Sequence, residues 1–312
     1  MFFGTAPFGL PTLAAIADHP RHRLVGVVTG PDKAQGRGQA SQRTAIGAWA
    51  ETQGFAAIFK PLRLRDTAFA ESLRALHADV FVVVAFRILP EEVFTIPRYA
   101  FNLHASLLPA YRGAAPIQRA IMAGETITGV TTFLLRKAVD TGAILGRKEV
   151  AITPTENAGT LMERMAVIGS ELVMETLDRL AVGDDAAEPQ NDAHMSAAPK
   201  IGPADQRLDF DDEAAHLINQ VRALAPRPGT TARVDGRAVK VYELSDAGPL
   251  PDRAPAPGQV TQADPRTGLV VAARDRLLRI DRIQAEGKKE QSGAEFVRGY
   301  RIAPGAVFAP PM

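Results

Sequence analysis

The run DVFVVVAF, residues Asp79 to Phe86, decides the fold class. Its apolar residues are continuous, as expected of a strand that is buried on both faces of a sheet. Strand-like runs also stand before it at 22–30 (HRLVGVVTG) and after it at 100–105 (AFNLHA), with an amphipathic helical pattern between them at 66–78. This alternation predicts a mostly parallel, twisted sheet covered by helices.

The next part of the chain has a different order of elements. The runs GVTTFLL (129–135) and GAILGRKEVAI (142–152) have strand composition without a helix between them, so we expect a hairpin around the loop RKAVDTG (136–142). A long amphipathic pattern over 157–183 ends at glycine and predicts a helix.

After this helix the chain changes character again. Residues 184–204 lack periodicity, which is typical of a linker. Several short strand-like runs follow in 205–312. Two of them flank Asp235-Gly236, a dipeptide that strongly favours a hairpin turn. The sequence therefore predicts an α/β domain over 1–183 and a small β-barrel over 205–312.

Composition excludes some classes of protein. The chain has 312 residues, a net charge of +1 and no cysteine, so it has no disulfide, no thiolate nucleophile and no strong overall field for nucleic acid. No apolar run is long enough for a membrane span and no secretory signal is recognisable, so we expect a cytoplasmic protein. The first strand-like run, FFG, is short; either the natural chain begins upstream or this strand is trimmed.

The candidate catalytic residues lie at the end of the strand-like run at 100–105 and in the loop at 136–142. Asn102 and His104 stand two residues apart and share one strand face, before a loop with Pro109 and Gly113. Asp140 stands in the D-T-G turn. A buried polar pair bonded to the backbone and an Asx turn would explain all three side chains. Alternatively, the amide and imidazole stabilise an oxyanion while the carboxylate orients or polarises the ring and manages protons.

Two other kinds of site are disfavoured. Ser106 stands two residues from His104 but lacks the G-x-S-x-G pattern of a nucleophile elbow. The six histidines show neither H-x-H nor H-x-x-x-H spacing, so we predict no metal site.

Basic residues concentrate in two places. The glycine-rich stretch GPDKAQGRGQ (30–39) lacks the G-x-G-x-x-G pattern and is either an exposed turn or an arm that contacts phosphates through Lys33 and Arg37. The end of the chain, from 271 to 312, has eight basic residues against five acidic ones. On a small barrel such a surface is compatible with binding a nucleic-acid backbone.

The segment FNLHASLLPAYRGAAPIQRAIMAGETITGVTTFLLRKAVDTGAIL, residues 101–145, strongly resembles the core of the methionyl-tRNA formyltransferase family. The resemblance continues in VVTGPDKAQGRGQ (27–39) and GKKEQSGAEFVRGYRIAPG (287–305), so it covers nearly the whole chain. The N-x-H-x-S-L-L-P and D-T-G motifs are shared with other folate-dependent formyltransferases. The Arg-Gly loop and the C-terminal segments favour the tRNA enzyme.

The resemblance implies transfer of a formyl group from 10-formyltetrahydrofolate to the amino group of methionyl-initiator tRNA, by a monomer without a metal or a membrane partner. It implies a Rossmann-like catalytic domain, a linker and an OB-like tRNA-binding domain. It assigns catalysis to Asn102, His104 and Asp140, folate binding to Ser106, Leu107, Leu108 and Pro109, and tRNA binding to Arg37. The two basic stretches add Lys33, Lys288 and Lys289 as predicted tRNA-binding residues.

The chain departs from the family pattern at four positions. Arg136 and Lys137 stand where acidic or polar residues are usual, Ala143 replaces a common Asp, and Arg87 stands where Gly is common.

Two alternative functions are a formyltransferase acting on an amino sugar nucleotide and a catalytically silent RNA-binding protein.

Overall fold

The computed structural model describes residues 1–32 and 42–311. The chain divides into two compact units, each built from three segments. The first unit holds 1–116, 127–151 and 162–198, and the second holds 117–126, 152–161 and 199–312. The predicted linker thus divides at residue 198 between the two units, and the predicted bounds of 1–183, 184–204 and 205–312 stay a prediction.

The strands of the first unit are β1 (Phe2–Gly4), β2 (Val27–Val28), β3 (Ile58–Phe59), β4 (Val80–Val84), β5 (Tyr99–His104), β6 (Arg112–Gly113), β7 (Ile127–Leu134), β8 (Ile144–Ala151) and β9 (Ala197–Ala198). Seven of them form one sheet in the order β3-β2-β1-β4-β5-β7-β8. The pairs from β3 to β5 are parallel, and the pairs β5–β7 and β7–β8 are antiparallel. A short parallel pair, β6–β9, lies apart from this sheet.

Helices α1 (Leu10–Asp18), α2 (Ala45–Thr52), α3 (Thr67–Arg74) and α4 (Glu91–Phe94) connect the parallel strands, as the sequence predicts. Helix α5 (Pro116–Met122) precedes β7, and α6 (Ala158–Ala181) follows β8. Thr44 and Asp66 cap α2 and α3 by accepting hydrogen bonds from backbone N–H groups of the first turn. The strand order reverses between β1 and β4. In doubly wound sheets, ligands bind beyond the carboxyl ends of the strands at such a reversal.

The core of the first unit is aromatic. Phe3 of β1 and Phe81 of β4 are fully buried, with ring centroids 4.8 Å apart. The run from Phe81 to Val84 is buried without interruption, which confirms the prediction of a strand covered on both faces. Burying such side chains stabilises the fold by about 1.5–3 kcal/mol each.

The second unit contains helices α7 (Pro203–Gln206), α8 (Ala214–Leu224) and α9 (Gly293–Tyr300). Its strands are β10 (Thr230–Val234), β11 (Arg237–Pro249), β12 (Val260–Asp264), β13 (Gly268–Ala272), β14 (Arg276–Ala285), β15 (Gln291–Ser292) and β16 (Phe308–Ala309). They form one antiparallel sheet in the order β12-β13-β14-β11-β10-β16, with β15 on β14.

This sheet curls until its two ends meet. Gln259, beside β12, bridges to Val307, beside β16, and the Val260 N–H donates to the Ala306 carbonyl at 2.8 Å. The turn between β10 and β11 has positive φ at Asp235 and Gly236, 48° and 74°, as a tight hairpin requires. The predicted class, a Rossmann-like domain plus an OB-like barrel domain, is confirmed.

Within residues 1–32 and 42–311, the structure contains no helix with the length and apolar character that a bilayer crossing would require.

Candidate active site

Asn102 and His104 lie at the carboxyl end of β5 and project from the same face. β5 is held between β4 on one side and β7 on the other, with Asn102 opposite Phe133 and His104 opposite Thr131. His104 is buried, and Asn102 is half-buried. In the described part of the chain, no group forms a hydrogen bond with the Asn102 amide. The amide is therefore available to a bound molecule.

The loop after β5 fixes the His104 ring. Nε2 lies 2.9 Å from the carbonyl oxygen of Tyr111. A carbonyl oxygen only accepts, so Nε2 carries a proton and donates it. The ring also meets the Phe133 ring edge-on, with centroids 6.5 Å apart. Nδ1 is therefore the ring nitrogen left to interact with another group.

Asp140 approaches that nitrogen from the turn between β7 and β8. Its Oδ2 lies 3.9 Å from His104 Nδ1 and accepts a hydrogen bond from the Gly113 N–H at 3.0 Å. A separation of 3.9 Å is too long for a hydrogen bond but short enough for a strong charge interaction if the ring is protonated. Asp140 has φ of +56°, a left-handed conformation that Asp adopts more readily than most residues.

The glycine of the D-T-G motif is required by a close approach of the backbone. A Cβ placed on Gly142 would lie 1.6 Å from the carbonyl oxygen of Leu134. The strands meet tightly at this point because the Leu134 N–H donates to the Ala143 carbonyl at 2.9 Å. This contact determines the path of the turn that carries Asp140.

The S-L-L-P loop is held from beneath by Thr131. The buried Thr131 hydroxyl donates to the Ser106 carbonyl at 2.7 Å and accepts from the Leu108 N–H at 3.2 Å. The Ser106 hydroxyl donates to the Ala110 carbonyl at 2.6 Å, and the Leu108 side chain packs in a core cluster. Leu107 and Pro109 are half-buried, so they are the more accessible of the four predicted folate-binding residues. The folate role of this loop stays a prediction.

The predicted linker supplies partners that the sequence analysis missed. The Tyr111 N–H donates to the Ser196 hydroxyl at 2.9 Å. Gln190 Nε2 donates to the Asp140 carbonyl at 2.9 Å. Residues 184–204 have no periodicity and no motif, so the sequence contains no signal for these contacts.

The four residues that depart from the family pattern differ in their contacts and their exposure. The Arg87 guanidinium donates to the Pro61 and Leu62 carbonyls at 2.7 and 3.2 Å, so it holds a neighbouring loop. Arg136 and Lys137 are exposed, and Ala143 is half-buried.

The predicted tRNA-binding residues fall into two groups. Lys33 and Arg37 lie outside the described residues. Lys288 and Lys289 are exposed in the turn between β14 and β15 of the second unit. Lys288 lines a shallow pocket there with Arg233 and Arg237. Binding of tRNA to this surface stays a prediction.

One cluster of potential metal ligands lies elsewhere in the first unit. Ligand atoms of His19, His22 and Asp178 lie within 4.8 Å of one another. Both carboxylate oxygens of Asp178 already have partners, because His22 Nε2 lies 2.8 Å from one and Arg21 donates to the other at 2.6 Å. The His22 hydrogen bond chiefly holds the pKa of Asp178 below its ordinary value. The cluster is thus an ion-pair network between the end of α1 and α6.

Two family sequence models match the chain. "Formyl transferase" matches residues 1–177, and "Formyl transferase, C-terminal domain" matches residues 200–301. Together with the fold and the Asn102-His104 strand end, these matches define a formyltransferase.

Curated relatives narrow the class. The methionyl-tRNA formyltransferase of Geotalea uraniireducens (strain Rf4) is 39% identical over 309 residues, which covers 98% of this chain and 96% of that protein. The enzyme of the same name from Thermobifida fusca (strain YX) is 39% identical over 310 residues, covering 99% and 98%. The chain belongs to the methionyl-tRNA formyltransferase family.

Solved structures support the fold. A Helicobacter canadensis N-formyltransferase in complex with folinic acid and dTDP-3-aminofucose aligns with a TM-score of 0.66 at 16% identity, covering 89% of this chain and 97% of that one. Methionyl-tRNA formyltransferase from Clostridium thermocellum aligns with a TM-score of 0.54 at 13% identity, covering 78% and 91%. At these identities the likeness concerns the fold alone.

Proposed function

We propose that this enzyme transfers the formyl group of 10-formyltetrahydrofolate to the amino group of methionyl-initiator tRNA by direct attack. Its family membership supports formyl transfer. The observation that carries the proposed mechanism is the approach of side chains from two separate parts of the chain: Asp140 lies 3.9 Å from His104, and Asn102 shares the strand face of His104.

In the proposed reaction the uncharged methionyl amine attacks the formyl carbon, and the carbonyl oxygen takes the negative charge. The proton of the attacking nitrogen passes to the Asp140 carboxylate, directly or through water. The carbon–nitrogen bond to the folate then breaks, and the folate nitrogen takes up a proton. The products are N-formylmethionyl-tRNA and tetrahydrofolate.

Asn102 and His104 would stabilise the oxyanion in this scheme. The Asn102 amide donates from its NH₂ group. Because Nε2 of His104 donates to the Tyr111 carbonyl, the ring reaches the oxyanion through Nδ1, and that nitrogen donates only when the ring is protonated. The Asp140 carboxylate would stabilise that protonated ring before it accepts a proton itself.

The predicted rate losses follow from these roles. Loss of an oxyanion donor costs about 10²–10³ in rate, and loss of acid–base assistance costs about 10²–10⁴. We expect Asn102→Ala, His104→Ala and Asp140→Ala each to lose at least about a hundredfold in kcat while staying folded. Asp185→Ala is a matched control, since this exposed carboxylate contacts Tyr99 at the opposite end of β5. Near-normal turnover by Asp140→Ala would remove that residue from the mechanism.

The acceptor is tested by competition. The enzyme is incubated with labelled 10-formyltetrahydrofolate and either charged initiator tRNA or an amino sugar nucleotide. Label on the tRNA supports the proposal, and label on the sugar nucleotide supports the first alternative. Transfer to neither acceptor, with tRNA still bound, supports the silent RNA-binding protein.

We also propose that Lys33, Arg37, Lys288 and Lys289 contact the tRNA backbone. Each phosphate contact with duplex RNA should contribute a slope of about −0.9 to the dependence of log affinity on log salt. Arg37→Ala should weaken tRNA binding without changing folate binding. A tRNA affinity that is flat from low to high salt would contradict these contacts. The enzyme would act in the cytoplasm as a monomer.

A further inference from the structure

We propose that Gln190 is a positioning residue that sets the catalytic turn around Asp140. This inference rests on the proposed function, because it assigns Gln190 a role through Asp140. The side-chain amide of Gln190 donates from Nε2 to two carbonyl oxygens, Asp140 at 2.9 Å and Gly142 at 2.8 Å. Both of its N–H groups are thereby used on the same short turn.

The other end of the same amide is bound to the loop after β5. Gln190 Oε1 accepts from Arg112 Nε at 3.0 Å and from Arg112 Nη2 at 2.6 Å. The four hydrogen bonds fix which end of the amide faces which loop, since a flipped amide would set its oxygen against two carbonyls. Gln190 therefore couples the turn of Asp140 to the Arg112 side chain.

The coupled loop also carries the two backbone groups that hold the proposed catalytic side chains. Tyr111, directly before Arg112, offers its carbonyl to His104, and Gly113, directly after it, donates its N–H to Asp140 Oδ2. Gln190 thus links the segment that holds the imidazole to the turn that carries the carboxylate. Only a side chain with two donors and an acceptor at this length can make all four bonds.

The expected defect is in turnover and not in substrate binding. A displacement of about 1 Å of a catalytic group can cost about a hundredfold in rate. We expect Gln190→Ala and Gln190→Glu to lower kcat by about tenfold to a hundredfold. The KM values for both substrates should change by no more than about twofold. Among the described residues the Gln190 side chain bonds to Arg112, Asp140 and Gly142, and none of these is a predicted substrate-binding residue. The carboxylate variant keeps the acceptor for Arg112 and loses both donors, so it tests the turn contacts specifically.

Asp192→Asn is the matched control. Asp192 is exposed and contacts the same guanidinium, at 2.7 Å from Arg112 Nη2, but it makes no bond to the catalytic turn. This variant should keep wild-type kcat. Thermal melts of all variants verify that each remains folded.

A second measurement does not depend on activity. Amide hydrogen exchange at Gly113, followed by NMR in the full-length protein, reports the hydrogen bond to Asp140. Exchange should accelerate in both Gln190 variants and stay unchanged in Asp192→Asn. Unchanged exchange, or accelerated exchange with wild-type kcat, would overturn the proposal. If the wild-type enzyme formylates no acceptor, the proposed function fails, and unchanged Gly113 exchange alone would still refute the coupling by Gln190.

Discussion

In a chain that begins at Met1, the amino group of this residue should make the protein less stable as the pH falls from 8 to 5. This group donates to the Val80 carbonyl at 2.7 Å, in line with the pairing of β1 on β4. Burial lowers its pKa from 8.0 to about 5, while the nearby Asp79 carboxylate acts in the opposite direction. A two-residue extension, Gly-Ser before Met1, would replace the amine by a peptide N–H that makes the same bond and does not titrate.

The size of the effect follows from linkage. A pKa of 8.0 unfolded against about 5 folded means that the unfolded state binds more protons between these values. Stability therefore rises with pH across this window. The full difference corresponds to about 4 kcal/mol, of which about 3 kcal/mol falls between pH 8 and pH 5. The extended chain lacks this contribution.

The assay is urea unfolding of both chains at several values from pH 5 to pH 8. Other titrating groups affect both chains alike, so the difference between the two unfolding free energies isolates the Met1 amine. The extended chain should gain about 3 kcal/mol relative to the shorter one on going from pH 8 to pH 5. Asp79→Asn should steepen the dependence in the shorter chain and leave the extended chain unchanged. A difference that is constant with pH would refute a buried amine with a lowered pKa.

Three further predictions concern both units. Gly142→Ala should lower kcat about a hundredfold. The new methyl group would lie 1.6 Å from the Leu134 carbonyl oxygen, so the turn must move until the two atoms are at least 3.0 Å apart. A kcat within about twofold of the wild-type value would contradict this prediction. Thr131→Val should cost about 1–3 kcal/mol of unfolding free energy in urea, because it removes two buried hydrogen bonds. Thr128→Val, whose buried hydroxyl has no partner in the described chain, should cost less, and equal losses would refute the assignment. Arg119 holds the pKa of Asp205 below its usual range. The stability from this pair is therefore present above about pH 4 and is lost as the pH falls through the lowered pKa. Asp205→Asn should flatten this acid dependence of the free energy of unfolding in urea.

Local patterns predicted the type and order of the elements but not their length. The apolar run at 79–86 became β4, and the predicted helix at 157–183 became α6. The run at 22–30 forms a strand only over Val27–Val28. Its length is set by pairing with β1, which itself spans three residues. The length of a short strand such as β2 depends on the neighbours with which it can pair, and those neighbours come from distant parts of the sequence.

The distinction between local patterns and contacts between distant segments also applies to the site. The alternation of side chains along a strand placed Asn102 and His104 on one face, because that rule is local. The approach of Asp140 to His104 requires the β7–β8 hairpin to return beside β5. The residues alone left this pairing as one of two alternatives, and the resemblance favoured it. Gln190 lies in a segment without motif or periodicity, and its role depends on four bonds to residues 48 to 78 positions away.

The backbone explains why so few side chains mark this site. His104 and Asp140 are held by the Tyr111 carbonyl and the Gly113 N–H, groups that every non-proline residue possesses. The sequence specifies their placement indirectly, through left-handed φ at Tyr111 and Asp140 and through a glycine at 142 where no Cβ fits. Substitutions that alter the path of the two loops should therefore affect turnover as strongly as removal of a catalytic donor, although they remove no group that contacts the substrate.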